Sequence, residues 1–318
     1  MERPAVDQAA AGEFLAEHLG DGVRDVVAAP RQGAWSQAYF FRRDGRDLVI
    51  RFAEQAWNFE KDRMYAAHSS PDLPIPRVLE IGEANGSAYA ISERVYGDIL
   101  EELDVDRMLR TLPSLFGALD AMRGIDLSST TGFGPQLPDG NGEHDTWRGY
   151  LLAVGDDQPT LVANPVRGWR AQLDRRPHVA RTFDRTLDEL ASLVEACPEI
   201  RHLLHSDLLY GNVLVAGDRV SGVFDWGCAL YGDFLYDLAW LTFWAPFYPG
   251  LDAVGVGRAA RRHYDAIGLA VPDLAARLRC YEVHIGLAHL AYHSFTQEWD
   301  HLEWTERRTL EVLTADPA

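Results

Sequence analysis

The spacing of hydrophobic positions changes once along the chain, near residue 97. Before this point, short apolar runs bounded by turn residues predict strands, and they follow a predicted first helix over Asp7 to His18. The runs are Val23 to Ala29, Ala38 to Arg42, Leu48 to Phe52, Arg77 to Ile81 and Ala88 to Val95. Beyond it, apolar residues recur at helical intervals, as in Asp104 to Met122, Arg181 to Leu193, Leu274 to Trp299 and Trp304 to Leu313. We predict a sheet-containing domain over residues 1–96 and a mainly helical domain over residues 97–318.

One predicted strand pair interrupts the helical part. The apolar runs Val213 to Val215 and Val220 to Phe224 flank Gly217-Asp218, a pair of residues typical of a hairpin turn. Polar residues stand at both ends of this hairpin. Asp207 and Asn212 precede the first strand, and Asp225 directly follows the second.

These polar residues suggest a reaction on a phosphate. Carboxylate and amide oxygens are ligands that Mg²⁺ accepts beside substrate phosphates, so Asn212 and Asp225 are the candidate metal ligands. Asp207 is then left to receive the proton of an acceptor hydroxyl group. The alternative is an ordinary polar hairpin in which these side chains only cap turns.

Composition limits the possible partners. At 318 residues the chain is long enough for two hydrophobic cores, and its formal charge is -18. That charge argues against a nucleic-acid partner and fits a cationic small molecule. No apolar run approaches the ~20 residues needed to cross a bilayer, and no export signal is evident at the N-terminus. The three cysteines are widely spaced, so we expect reduced thiols in a cytoplasmic protein without a membrane partner.

The order of motifs resembles the aminoglycoside phosphotransferase family. His205-Ser-Asp207 is followed by Gly211-Asn212, the strand pair, Asp225-Trp-Gly227, and Gly232-Asp233 to Asp237. The resemblance implies an α+β, two-lobed protein-kinase-like fold, with a small N-terminal sheet lobe and a larger, mainly helical C-terminal lobe. It also implies transfer of the γ-phosphoryl group of ATP or GTP, with Mg²⁺, to a hydroxyl of an aminoglycoside by a monomeric enzyme.

Within that family, five further stretches resemble the hygromycin B phosphotransferases: Leu73 to Glu83, Ser129 to Pro135, Thr146 to Arg148, Cys197 to Leu203 and Ile285 to Leu287. They imply hygromycin B as the acceptor. The catalytic loop Leu208 to Gly211 is more similar to the general family. Because this loop faces the acceptor, the sequence leaves the choice of antibiotic open.

The resemblance also assigns residues to the nucleotide. Arg51, on the predicted third strand, replaces the lysine that holds nucleotide phosphates in kinases, and its acidic partner is either Glu60 or Asp62. The turn before the second strand has a single glycine, Gly33, and we expect its amides and the Ser36 hydroxyl to face the phosphates. Backbone groups near Ser92 and Arg94 are expected to bond the adenine.

The remaining predicted site residues support the loop or contact the acceptor. We expect Asp237 to accept backbone hydrogen bonds from the catalytic loop, and His205 to hold that loop rather than act as the base. Four residues are candidate acceptor contacts: Asp233, Trp244, Glu298 and Asp300. For Asp233 a helix N-cap is an equal alternative, and Glu298 and Asp300 would otherwise be solvated turn residues.

Two other functions fit parts of this pattern. A metabolic kinase acting on a sugar, an amino alcohol or a macrolide would use the same chemistry on another acceptor. A non-catalytic nucleotide-binding protein of the same fold is the second alternative. The joint presence of Asp207, Asn212 and Asp225 argues against the second, since a degenerate copy is expected to lose at least one of them.

Overall fold

The computed structural model describes residues 6–84, 86–157 and 166–315. Within these residues the strands are, in chain order, β1 (Val23–Ala28), β2 (Ser36–Arg43), β3 (Arg46–Ala53), β4 (Val78–Ala84), β5 (Ser87–Glu93), β6 (Asp98–Ile99), β7 (Phe133–Gln136), β8 (Gly142–His144), β9 (His202–Leu204), β10 (Val213–Ala216), β11 (Arg219–Val223) and β12 (Leu230–Gly232). The helices are α1 (Gln8–Leu19), α2 (Trp57–Tyr65), α3 (Val105–Arg123), α4 (Trp147–Leu152), α5 (Trp169–Leu173), α6 (Pro177–Leu193), α7 (Leu235–Trp244), α8 (Pro249–Val254), α9 (Val256–Ala266), α10 (Leu274–Thr296) and α11 (Trp299–Thr314).

The described residues pack into two compact units. The first runs to Asp98 and also contains Asn212–Gly227, whereas the second contains Ile99–Gly211 and the chain from Cys228 onward. The sequence prediction placed the whole of 97–318 in one domain. The hairpin packs with the first unit because its backbone bonds there: Val223 N donates to Pro74 O at 2.8 Å, and the Ser221 hydroxyl donates to Tyr96 O at 2.8 Å.

The first unit is built on an antiparallel sheet with strand order β1-β2-β3-β5-β4. Side chains alternate between the two faces of a strand, so Leu48, Ile50 and Phe52 of β3 enter the core, where Leu15 of α1 also packs. Arg51 stands between two of these core positions and therefore projects from the other face. Strands β10 and β11 form a separate hairpin in this unit, with β6 beside β10.

The second unit is mainly helical. Its central helix is α10, which packs against α5, α6, α7 and α11 and buries residues on several sides, among them Tyr281, Ile285 and Leu290. A small sheet with strand order β8-β7-β12-β9 ends at the catalytic loop that follows β9. Among the described helices, none is both long and apolar enough to cross a membrane.

Candidate active site

Asp237 holds the backbone of the loop that carries Asp207. Its two carboxylate oxygens accept from His205 N at 2.9 Å and Ser206 N at 2.7 Å. Ser206 has a φ of 57°, in the left-handed region that is unfavourable for a residue with a Cβ, and these bonds help to hold it there. Burial raises the pKa of Asp237 to about 6, although both backbone bonds favour the ionised form. Asp237 therefore stands in the supporting position expected of it.

His205 is fully buried and points back into its own loop. Its Nδ1 accepts a hydrogen bond from Asp207 N at 3.2 Å. The next residue is fixed as well, because the Ser206 hydroxyl donates to Cys228 O at 2.6 Å. This geometry is compatible with the structural role predicted for His205. It leaves Asp207, which is only partly buried, as the carboxylate that the loop presents.

In the first unit, Arg51 forms a buried ion pair with Asp62. Of the two acidic partners that the sequence left open, the structure thus selects Asp62. Glu60 instead pairs with Arg63 on the helix surface. Asp62 also accepts from Trp226 N at 2.8 Å, so that one carboxylate joins β3, α2 and the segment after Asp225.

Asp225 lies near this ion pair and has a strained backbone, with a φ of 64°. Burial raises the pKa of its carboxyl group, the charge of Asp62 adds to the shift, and Arg51 opposes it. For Arg51 itself, burial opposes the charged form, but Asp62 and Asp225 outweigh it and raise the pKa of the guanidinium. The site is thus a buried cluster in which two carboxylates face one cation.

Asn212 stands beside this cluster in the strand pair. The backbone carbonyl oxygen of Asn212 accepts from Phe224 N at 3.1 Å, so Asn212 lies opposite the residue that precedes Asp225. Asn212 is buried. An amide oxygen and a carboxylate are hard oxygen donors of the kind that Mg²⁺ prefers. The donor set and the excess of carboxylate over guanidinium therefore fit a divalent cation.

Lys61, the single lysine of the chain, was missed as a site-supporting residue. It is fully buried and its Nζ donates to Gly227 O at 2.8 Å, so it fixes the turn that follows Asp225. A buried lysine needs an acceptor for its charge. The only sequence signal for this role is that Lys61 is the single lysine in a chain whose other basic residues of that kind are arginines.

The structure limits the predicted adenine contacts. Ser92 is buried in β5, with β3 on one side and β4 on the other. The backbone N–H of Arg94 already donates to Asp47 O at 3.1 Å, so other backbone groups near Ser92 and Arg94 would have to bond the adenine, and that contact stays a prediction. The Arg94 guanidinium instead covers the Phe40 ring at 3.7 Å and the Tyr96 ring at 4.7 Å.

The turn before β2 is closed by a side chain that sequence reasoning passed over. The Gln32 amide donates to Ala29 O at 3.0 Å and to Ala38 O at 2.9 Å, and accepts from Ala38 N at 2.8 Å. Ser36 begins β2 directly after this turn and is partly exposed. Its position is compatible with the predicted phosphate contact.

Trp244 differs from its predicted role as an exposed ligand contact, because it is only 3% exposed. Its ring stacks on Trp304 at 5.2 Å with an interplanar angle of 5°, and His289 packs against it edge-on at 4.8 Å. The exposed aromatic side chains near it are Phe247 and Tyr210. Helical periodicity could not reveal that α11 covers the end of α7.

Tyr210 belongs to the catalytic loop and was not predicted as a site residue. It has a φ of 62° and its side chain is 47% exposed. Burial around the hydroxyl raises the pKa of Tyr210, and the charges of Asp207 and Glu298 are among the groups that add to the shift. These interactions bring Tyr210, Asp207 and Glu298 into one electrostatic neighbourhood within the second unit.

Asp233 is also corrected by the structure. It is fully buried, accepts from Arg277 Nε at 2.8 Å and Arg277 Nη2 at 2.7 Å, and accepts from the Tyr281 hydroxyl at 2.5 Å. It also accepts from Leu235 N at 3.2 Å near the start of α7. A carboxylate saturated in this way cannot contact an acceptor, so Asp233 is a structural residue that ties α7 to α10.

Glu298 and Asp300 remain accessible at the turn between α10 and α11. Glu298 accepts from the Thr296 hydroxyl at 3.1 Å and lies 3.0 Å from His293 Nδ1. Asp300 is exposed in the first turn of α11. Both carboxylates are therefore open to a cationic ligand.

Comparison with known proteins identifies the family of the chain. Residues 27–271 match the phosphotransferase enzyme family. The chain is 35% identical over 312 residues to hygromycin-B 4-O-kinase of Escherichia coli, covering 97% of this chain and 86% of that protein. It also resembles the crystal structure of aminoglycoside phosphotransferase APH(4)-Ia, with a TM-score of 0.83, 33% identity, and coverage of 98% and 100%.

A thermostable mutant of that enzyme, in a ternary complex with AMP-PNP and hygromycin B, gives a TM-score of 0.83 at 33% identity, with 96% of this chain and 98% of that chain covered. The kinase-like fold expected from the sequence is thereby confirmed. The catalytic-loop aspartate, the arginine on the third strand and the Asn–Asp pair all lie within the matched residues. The chain belongs to the phosphotransferase enzyme family.

Proposed function

We propose that this phosphotransferase moves the γ-phosphoryl group of ATP to a hydroxyl group of hygromycin B. The observation that carries the proposal is the 35% identity to hygromycin-B 4-O-kinase over 97% of the chain. The related structure with AMP-PNP and hygromycin B supports the same pair of substrates. Phosphorylation would inactivate the antibiotic.

Each unit contributes a separate part of the chemistry. In the first, Arg51, anchored by Asp62, binds nucleotide phosphates, and Asn212 and Asp225 hold Mg²⁺. When bound, Mg²⁺ neutralises phosphate charge. In the second unit, Asp207 orients the acceptor hydroxyl and takes its proton, and Asp237 keeps the loop in place. Catalysis by such residues is mainly a matter of positioning.

The acceptor is proposed to bind against the exposed groups of the second unit. Hygromycin B carries ammonium groups, which suit Glu298 and Asp300, and apolar ring faces, which suit Tyr210 and Phe247. The formal charge of -18 adds a long-range attraction for a cation. A neutral sugar would lack the charge attraction to these carboxylates.

We further propose that the enzyme acts in the cytoplasm as a monomer. Cys197, Cys228 and Cys280 are free thiols, as expected in a reducing compartment. ATP is available there. Size-exclusion chromatography with light scattering would test the monomer, and a dimer mass would overturn it.

The test is a nucleotide-consumption assay with hygromycin B, ATP or GTP, and Mg²⁺, followed by mass analysis of the product. Hygromycin B is expected to gain one phosphoryl group. Asp207→Asn should lower kcat by at least about 100-fold, because it removes the general base. Asp225→Asn should abolish turnover with Mg²⁺.

The matched control is Asp106→Asn, an exposed carboxylate in the first turn of α3, which should stay within about twofold of the wild type because surface substitutions have small effects. Kanamycin, choline and a macrolide serve as alternative acceptors. Phosphorylation of one of these compounds, without phosphorylation of hygromycin B, would refute the assignment of hygromycin B as the acceptor. Wild-type turnover by Asp207→Asn would refute the assigned base.

A further inference from the structure

Three potential metal ligands meet at the turn between α10 and α11. They are His293, Glu298 and His301, and one ligand atom from each lies within 4.8 Å of the other two. His293 Nδ1 is 3.0 Å from Glu298 Oε2, and His301 Nδ1 is 3.9 Å from the same oxygen. We propose that these three side chains bind a transition-metal ion, with Zn²⁺ as the preferred species.

The spacing of the ligand atoms suits zinc. Zinc lies 2.0–2.2 Å from nitrogen and oxygen ligands, so neighbouring ligands of a tetrahedral site are about 3.4 Å apart. The two separations from Glu298 Oε2 bracket this value. Small side-chain rotations of the two exposed residues are enough to close the site, and their exposure leaves a fourth position for water.

The turn itself is rigid. His293 is 4% exposed in the last full turn of α10, and Gln297 reverses the chain with a φ of 60°. Glu298 N then donates to His293 O at 3.0 Å, and the Glu298 carbonyl accepts from Leu302 N at 2.9 Å to start α11. The site is therefore largely organised before a metal binds, which reduces the entropy lost on binding.

His293 is prepared to act as a ligand. Its ring is almost fully buried, and Nδ1 is the nitrogen on the side of Glu298, at 3.0 Å from Oε2. Within the described part of the chain, its Nε2 is buried without a hydrogen-bond partner. When Nδ1 binds the metal, the proton of the neutral ring stands on Nε2, and Nδ1 presents its lone pair to the ion.

The ligand types distinguish this site from the Mg²⁺ site. Two imidazoles and one carboxylate favour zinc and its neighbours in the transition series, whereas Mg²⁺ prefers oxygen ligands alone. The metal would also occupy Glu298, which the proposed function assigns to the acceptor. If that function is correct, Zn²⁺ raises KM for hygromycin B and leaves KM for ATP unchanged.

The direct test uses tag-free full-length protein without nucleotide or acceptor. Co²⁺ binding is followed by visible absorption, and Zn²⁺ binding by calorimetry and by displacement of Co²⁺. One high-affinity site per chain is expected. His301→Ala and Glu298→Gln should each weaken Zn²⁺ binding by about tenfold or more. Because both residues are about half exposed, these variants are expected to keep the wild-type melting temperature.

The matched control is His178→Ala. His178 is also an exposed histidine beside a glutamate of the same unit, at 3.6 Å from Glu306. Among the described residues, this pair belongs to no group of three potential metal ligands. This variant should bind Zn²⁺ as the wild type does. Equal Zn²⁺ affinity in the wild type and His301→Ala would overturn the site. A site that binds Zn²⁺ without changing KM for hygromycin B would refute only the link to the acceptor.

Discussion

Arg51 is held in a buried ion pair, and the proposed function gives the same side chain a second role at the nucleotide phosphates. The charges of Asp62 and Asp225 both raise the pKa of its guanidinium, against the effect of burial, and its side chain is 16% exposed. Asp62 satisfies it in the absence of nucleotide. In the proposed function, the ion pair would hold the guanidinium in place for a phosphate, which a flexible surface arginine would not do.

We predict that Asp62→Asn lowers the free energy of unfolding by roughly 1–3 kcal/mol, because it breaks the buried ion pair and leaves only the charge of Asp225 to balance Arg51. It should also weaken ATP binding. Urea denaturation and nucleotide titration measure the two effects. Glu60→Gln is the control, since the Glu60–Arg63 pair is surface-exposed and should contribute less than about 1 kcal/mol. Equal losses in the two variants would contradict the assignment of Asp62.

At the scale of elements, α10 and α11 approach each other closely at Gly286. A Cβ at this position would overlap the buried side chain of Thr309 on α11. Thr309 has little room to move, because its hydroxyl donates to Thr305 O at 2.7 Å. This glycine thus sets how near the two helices lie, and with them the turn that carries Glu298.

Gly286→Ala is therefore expected to destabilise the protein by roughly 1–2 kcal/mol, since overpacking outweighs the gain in helix propensity. Gly117→Ala in α3 is the matched control. A Cβ there meets nothing within 4 Å, so this change should stabilise by about 0.5–1 kcal/mol. Thermal unfolding compares the two. A stabilised Gly286→Ala variant would show that the helices can separate at no cost.

At the scale of the whole molecule, buried histidines make stability depend on pH. Burial lowers the pKa of both His284 and His289 to about 3, whereas an unfolded histidine titrates near 6.5. Between these values the unfolded chain binds the protons and the folded chain does not. Stability is therefore complete above about pH 6.5 and is lost as the pH falls towards 3.

Within that window, each of these histidines should lower the free energy of unfolding by about 1.4 kcal/mol for every pH unit by which the pH falls. Urea denaturation monitored by circular dichroism at pH 7, 6 and 5 measures the slope. His289→Gln should remove one of the two equal histidine contributions to this slope. His178 is exposed, so His178→Ala should leave the slope unchanged. A slope unaffected by His289→Gln would mean that this ring is protonated in the folded state.

Local pattern was sufficient for much of the fold and part of the site. Period-2 alternation placed Arg51 on the opposite face from Leu48, Ile50 and Phe52. The hairpin residues 213–223 were recognised from apolar runs and a Gly-Asp turn. Such features depend on residues close in sequence, whose geometry is determined by backbone periodicity. The motif order from His205 to Asp237 likewise identified the family that comparison confirmed.

The errors came from contacts between distant residues. Trp244 was expected to be exposed, but Trp304, sixty residues later, covers it. Asp233 was assigned to the acceptor, but Arg277 binds it from α10. In neither case does the sequence near the residue contain its partner.

The sequence by itself determined the elements, the motif residues and the phosphotransferase family, because these follow from spacing and residue type along the chain. Only the tertiary structure showed that Asp62, not Glu60, pairs with Arg51. It also showed that Trp244 and Asp233 are buried, and that His293 and His301 both lie beside Glu298. The physical reason is that burial and charge pairing depend on which distant segments pack together. Glu60 and Asp62, for example, are two residues apart on α2 and so face nearly opposite sides of the helix. Only packing determines which of those sides meets Arg51.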